Sequence, residues 1–240
     1  MTKVLITAPL RQDVGIFREH LASLDRLHIP EGGAVDRFWA VNDCPEVIPE
    51  IREASYAIVN TGDEFRKTEN DHIWRRDNLE KMPYLRNLTV QWALDNGYDY
   101  WFSVDTDLVL HPDTLTWLLE ADKDIASEIF WTKGKDGGYW CNAWMYDQAE
   151  GMSLDWLEPG LYQVGMTGAC TLAKCEVLEA GVNFSPIPCI RNVLWGEDRW
   201  FSIRAAVHGF EMWVDTHVPA VHLYTEEVYQ AYMARKGAAV

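Results

Sequence analysis

Three short groups of residues have the types and spacing to do chemistry. Asp105-Thr106-Asp107 sets two carboxylates one residue apart at the end of the apolar run Tyr100-Trp101-Phe102-Ser103-Val104. Carboxylate oxygens are hard ligands suited to Mg²⁺ or Mn²⁺, ions that bridge to substrate phosphates. The same pair also fits a solvated turn where a strand ends. Glu197-Asp198 provides adjacent acids, either of which could take a proton from a hydroxyl. Both equally suit a helix start, where the macrodipole favours negative charge. His222 lies near the end of an apolar segment. An imidazole is a better ligand for Mn²⁺ than for Mg²⁺, but it also has many purely structural uses.

These groups need elements to position them. Residues 3–8 form an apolar run stopped by Pro9, which reads as a buried strand feeding a loop. Residues 14–27 carry Ile16, Phe17, Leu21, Leu24 and Leu27 at helical spacing. A second strand follows at 37–41 and closes at Asn42-Asp43-Cys44-Pro45. Strand, helix, strand with loops at the strands' carboxyl ends begins an open α/β sheet, which binds ligands at that edge. The pattern predicts a short helix and then a strand within 48–60. It predicts a helix over 79–96 stopped by Gly97, and a strand over 99–107 ending in the two acids. A helix from 111 to about 121 has Pro112 in its first turn, and another strand covers 125–132. Residues 62–77 are densely charged.

Beyond Thr132 the texture changes. Residues 133–160 are rich in Gly, Trp, Tyr and Asp and read as an irregular hairpin or loop over the sheet. Strand, Gly-rich turn and strand follow over 161–173, then a short helix at 174–180. A helix opened by Trp195-Gly196-Glu197-Asp198 runs to His208, a strand covers 211–214, and 218–224 carries His222. The expectation is one α/β domain over 1–240: a mixed central sheet with helices on both faces, a nucleotide-binding half at 1–132 and an acceptor half at 133–240.

The 240 residues carry 37 acidic and 21 basic side chains, a formal charge of −16. So negative a surface disfavours nucleic acid and anionic lipid as partners, since both require a positive field. No run approaches the roughly 20 apolar residues of a membrane span. Five cysteines, an odd number without a CxxC, read as reduced, mostly buried thiols, and the expected location is the cytoplasm.

The run from Arg86-Asn87 through Asn96-Gly97-Tyr98-Asp99 and Asp105-Thr106-Asp107 to His111-Pro112-Asp113 resembles the nucleotide-sugar glycosyltransferases of the GT-A fold, family 2-like, with a DxD motif. Trp195-Gly196-Glu197-Asp198-Arg199-Trp200-Phe201 resembles that family's acidic motif at a helix start. The resemblance implies a GT-A, Rossmann-like sheet and metal-dependent transfer of a sugar from a nucleoside diphosphate sugar to an acceptor hydroxyl. It implies Asp107 as a metal ligand, Asp105 at the ribose or metal, and His222 as a further ligand of Mn²⁺ (or Mg²⁺). Asp198 would be the general base of an inverting transfer, with Glu197 beside it. Pro9, Arg11 and Asp43 would border the base and ribose, and Arg86 the diphosphate. Thr106, Thr167, Gly168 and Trp195 would line the donor sugar and acceptor. The family's usual acid after the first strand is replaced by Arg11 and Asp13. One or two of Trp131, Trp140, Trp144 and Trp195 would face the site, because flat aromatic rings stack on sugars. The acceptor stays open among glycan, protein, lipid and small molecule. Three other readings stay open: a retaining transferase, a nucleotidyltransferase, and a non-catalytic nucleotide- or sugar-binding protein. The nucleotidyltransferase lacks support from Thr7-Ala8-Pro9-Leu10-Arg11, which is no Gly- and Lys-rich phosphate loop.

Overall fold

The computed structural model describes residues 1–62, 76–134, 137–145, 158–188, 190 and 196–238. Of the expectations above, Trp195, Cys189, residues 146–157 of the irregular segment and most of the charged 62–77 stretch lie outside the described residues.

The chain alternates strands and helices from its start: β1 (Thr2–Leu10), α1 (Val14–Leu24), β2 (Gly33–Asn42), a 3-10 turn (Pro45–Glu50) and β3 (Ser55–Val59). Asp13 caps α1, its carboxylate accepting from the Gly15 amide at 2.7 Å. Next come α2 (Arg76–Asp95), β4 (Tyr100–Ser103), β5 (Leu108–Val109), α3 (Thr114–Glu120) and β6 (Ile125–Lys133). Short strands β7 (Tyr139–Cys141), β8 (Ala143–Trp144), β9 (Leu161–Val164), β10 (Met166–Thr167) and β11 (Thr171–Lys174) follow. The chain then forms α4 (Cys175–Glu179), α5 (Glu197–Val207), β12 (Met212–His222) and α6 (Glu226–Ala238).

The main sheet runs β3-β2-β1-β4-β11-β6-β12-β5, with β7 added to β6 and β9 to β12. The β3-β2-β1-β4 half of this order is parallel, so the carboxyl ends of these strands share one edge. Antiparallel β11 inserts between β4 and β6, making the sheet mixed. Strand alternation divides the core in two. Val4, Ile6 and Ala8 face Phe17 and Leu24 of α1 and Leu115 and Leu118 of α3. Leu5 and Trp101 face Val90 and Ala93 of α2 and Phe201 and Ala205 of α5. Helices therefore cover both faces, as expected.

Three boundaries differ from the sequence reading. The strand expected over 99–107 ends at Ser103, and Asp105 and Asp107 stand on the turn beyond it. Pro112 precedes α3, whose first helical residue is Thr114. Residues 211–214 and 218–224 do not form separate segments: β12 is continuous to His222 through a register shift between Asp215 and Ala220. That irregularity absorbs Pro219, which cannot donate to the ladder. Helix α6 has no counterpart in the sequence reading, because it buries none of its residues and shows no clean apolar stripe. Cys44, Cys141, Cys170 and Cys175 are buried free thiols, as expected. Among the described residues no helix is long and apolar enough to cross a membrane.

Candidate active site

The site lies at the carboxyl edge of the parallel strands, where β4 gives way to the Asp105–Asp107 turn. Several contacts fix that turn. Val104 donates its amide to the Thr7 carbonyl at 3.0 Å, and Leu108 donates to the Asp105 carbonyl at 3.0 Å. Beneath it, His20 of α1 places Nδ1 2.7 Å from the Leu108 carbonyl. This histidine is fully buried, and burial lowers its pKa to about 4. It is therefore a neutral imidazole donating from Nδ1, a brace for the acidic turn. The sequence reading missed it, although a polar residue on the apolar face of α1 was the available signal.

Arg86 of α2 is the electrostatic centre of the site. Its guanidinium is 3 % exposed and donates through Nε to Glu197 Oε1 at 2.9 Å, through Nη1 to Ser103 Oγ at 3.2 Å and through Nη2 to Asp105 Oδ1 at 3.1 Å. Asp198 Oδ1 stands 3.8 Å from Nε. One buried cation thus joins the end of β4 to the start of α5. Burial alone would favour the uncharged form, but Asp105, Asp198 and Glu197 outweigh it and hold Arg86 protonated. Phe184 packs below the guanidinium, 5.7 Å from its ring centre. The resemblance put Arg86 against the diphosphate; the partners observed for it are the site's own acids.

Asp198 sits in the first turn of α5. Desolvation pushes its pKa up to about 7; Arg86 opposes that shift, and Glu197 and Asp105 reinforce it. Gly168 closes the opposite wall. A Cβ on Gly168 would lie 2.4 Å from Asp198 Oδ2, so only glycine lets the backbone come this near. Thr167, Asp198, Arg86 and Ser103 line one small cavity, and the buried Thr167 hydroxyl has no hydrogen-bond partner among the described residues. Gly168 is itself held by Asn142, whose Nδ2 donates to the Gly168 carbonyl at 2.9 Å and to the Glu128 carbonyl at 3.0 Å. Asn142 was also missed; it lies in the weakly patterned stretch after Thr132.

Asp107 and His222 meet across β5 and β12, where His222 pairs with Leu108 and the Leu223 amide donates to the Asp107 carbonyl at 2.7 Å. His222 Nε2 is 3.5 Å from Asp107 Oδ2, and its Nδ1 is 2.9 Å from Thr132 Oγ1. Two ligands about 2.1 Å from one ion at near-right or slightly wider angles stand roughly 3.0–3.5 Å apart, so this spacing suits a shared divalent cation. Among the described residues, no three His, Cys, Asp or Glu side chains cluster to hold a metal by themselves. Asp105, expected as a third ligand, is turned to Arg86.

The remaining predicted residues lie along the same edge or near it. Pro9 is in the last turn of β1's register, opposite Ala40, with Arg11 just past the strand. Asp43 follows β2 in left-handed backbone (φ 46°), and both of its oxygens accept from the Thr61 amide at 3.0 and 3.1 Å. Thr106 is buried between the two acids of the turn. A larger recess of about 690 Å³ lies elsewhere, between α1 and β2, lined by Leu21, Leu24, Val35, Arg18 and Arg37; it contains none of the predicted site residues.

The mixed sheet flanked by helices is a GT-A-like fold, and solved glycosyltransferase structures share it. A Staphylococcus aureus TarS structure (residues 1–349) matches with a TM-score of 0.56 at 13 % identity, over 92 % of this chain and 59 % of that one. A mannosyltransferase from Pyrobaculum calidifontis, PcManGT, solved with GDP-Man and Mn²⁺, matches with a TM-score of 0.56 at 12 % identity, over 97 % of this chain and 60 % of that one. A nucleoside-diphosphate-sugar pyrophosphorylase from Vibrio cholerae matches at 0.50 with 11 % identity, over 97 % of this chain and all of that one. The chain spans about three fifths of the length of the two transferases. No family model matches the sequence, and no curated protein does.

Proposed function

We propose that the protein is a metal-dependent glycosyltransferase that moves a sugar from a nucleoside diphosphate sugar to an acceptor hydroxyl with inversion. The observation that carries this is the placement of Asp198 against Gly168 and 3.8 Å from Arg86, on the edge that also holds Asp107 and His222. A base is most effective when its pKa lies near the working pH. A TarS structure binding UDP-GlcNAc and PcManGT binding GDP-Man support a nucleotide-sugar donor for this fold.

In the proposed reaction Asp198 accepts the acceptor's hydroxyl proton as that oxygen bonds to the sugar's anomeric carbon. The bond from that carbon to the diphosphate breaks on the opposite face, and the electron pair leaves with the phosphate. Glu197, fixed to Arg86, offsets part of the guanidinium's pull on Asp198, so the carboxylate stays basic enough to take a proton. Asp107 and His222 would hold Mn²⁺ (or Mg²⁺), which would supply positive charge to the departing diphosphate. The Nδ1–H of His222 would donate to Thr132, leaving Nε2 free to ligate. Pro9, Arg11 and Asp43 border the nucleotide in this reading, and Thr106, Thr167, Gly168 and Trp195 the transferred sugar.

Hydrolysis of a panel of nucleoside diphosphate sugars with Mn²⁺ tests this without a known acceptor. Turnover of one donor, lost in Asp107→Ala and strongly reduced in Asp198→Asn, is the expected result. Failure of every donor both to turn over and to bind would refute it. The pyrophosphorylase likeness favours a second reading, nucleotidyl transfer, which would show as pyrophosphate release from a nucleoside triphosphate and a sugar phosphate.

A further inference from the structure

Trp140 lies beside the candidate metal pair, and neither the donor chemistry nor the core accounts for its position. Strands β6 and β7 pair antiparallel with Thr132 opposite Trp140, so the two side chains leave the same face about 4.5–5.5 Å apart at Cβ. Thr132 is the residue whose hydroxyl meets His222 Nδ1 at 2.9 Å. Phe130, two residues back on the same face, meets the His222 ring edge-on at 4.8 Å, and Tyr224 lies 4.8 Å from its other side. The Tyr224 hydroxyl anchors the hairpin by accepting from the Lys133 amide at 3.1 Å. The indole is 46 % exposed in spite of these neighbours.

The hairpin also connects to the base. Two positions beyond Trp140, Asn142 accepts from the Phe130 amide at 2.9 Å and holds the Gly168 carbonyl at 2.9 Å. Gly168 is the residue that abuts Asp198. The strand that carries this open indole beside the Asp107–His222 pair is therefore joined, two residues on, to the wall of the base. A flat ring so placed can stack on the C–H face of a pyranose and leave its hydroxyls directed along the cleft. The Asp107 carboxylate beside this face disfavours an anionic saccharide there, whereas the charge of a diphosphate would be met by the metal.

We infer that Trp140 is the stacking platform of an acceptor subsite for a neutral saccharide. The inference rests on the glycosyltransferase reading for its name as an acceptor site, but the saccharide site can be tested separately. Tyr139, 62 % exposed on the opposite face of the same hairpin, is the internal control.

The test is saturation-transfer NMR on the whole protein with diamagnetic Mg²⁺ and UDP or GDP, using methyl glucosides, galactosides and mannosides, cellobiose and maltose. At least one saccharide is expected to bind. Trp140→Ala is expected to weaken that binding tenfold or more, Trp140→Phe to recover most of it, and Tyr139→Ala to leave it unchanged. Thermal melts of each variant separate lost binding from lost fold. If no saccharide binds wild type, or if Trp140→Ala and Tyr139→Ala behave alike, the platform is refuted. Nucleotide binding to wild type is read in parallel. Its absence together with a Trp140-dependent saccharide would refute the transferase reading and leave the saccharide site standing.

Discussion

Replacing Gly168 with alanine tests the geometry of the base directly. The new Cβ would stand 2.4 Å from Asp198 Oδ2 and 2.9 Å from its Cγ. Carbon and oxygen do not approach closer than about 3.2 Å without steep repulsion, so the carboxylate must retreat by roughly 1 Å. Gly168 does not need a left-handed backbone, and the atom in the way ends a short side chain. The fold should therefore survive with a loss of about 1–3 kcal/mol, the usual range for an overpacked site. Catalysis should suffer more, because displacing a catalytic group by about 1 Å can cost on the order of 100-fold. The assay is kcat for the donor that turns over, compared with kcat of Asp198→Asn, alongside a denaturant melt. A Gly168→Ala enzyme that is folded and within about threefold of wild type in kcat would show that Asp198 need not sit where the structure puts it.

Other outcomes follow from the same contacts. The pH profile of kcat/KM should rise about tenfold per unit up to about 7 and then level, as Asp198 loses its proton, and Asp198→Asn should abolish that limb. Arg86→Met should lower stability by about 3–5 kcal/mol in urea unfolding, because it leaves Glu197, Asp105 and Asp198 without their shared cation. Glu128 is fully buried, and burial and then Asp215 raise its pKa to about 9. The native state thus binds a proton that the unfolded chain gives up near 4.5. Stability from this group is complete below that value and is lost as pH rises towards about 9. Melting temperatures of wild type should fall across that window while those of Glu128→Gln fall less.

Periodic stretches were legible in the sequence, and so was the order of the chemical groups. β1, α1, β2 and α2 follow directly from apolar spacing, and Gly97 stops α2 as its type predicts. Asp105, Asp107 and Glu197-Asp198 were visible because acids after apolar strands and at helix starts stand out. What they bind to was not visible. Arg86 falls in a charged helix where a solvated arginine looks the same as a buried one, and its partners lie 19 and 111 positions away. Asn142 and Trp140 sit in a stretch without period, so their roles depend on which strand the hairpin joins. β12 was hidden because Asp215, His217 and Pro219 break its alternation, although its neighbours β6, β9 and β5 hold it as one strand.

The route of β12 has a consequence for how the molecule comes to work. This strand delivers His222 to Asp107 from the far half of the chain, after pairing with β6 and β9 and before the final helix. Such long-range pairing costs loop-closure entropy that must be met before its contacts reward the chain. A chain that lacks β12 can shape the edge of β1, β2 and β4, where a nucleotide is proposed to bind, yet cannot own both members of the Asp107–His222 pair. An ion bound between them would then act as a clasp on the finished molecule, favouring the native state through its own affinity. Competence and completion would arrive together, and a partly folded chain would be unable to spend a costly donor on water.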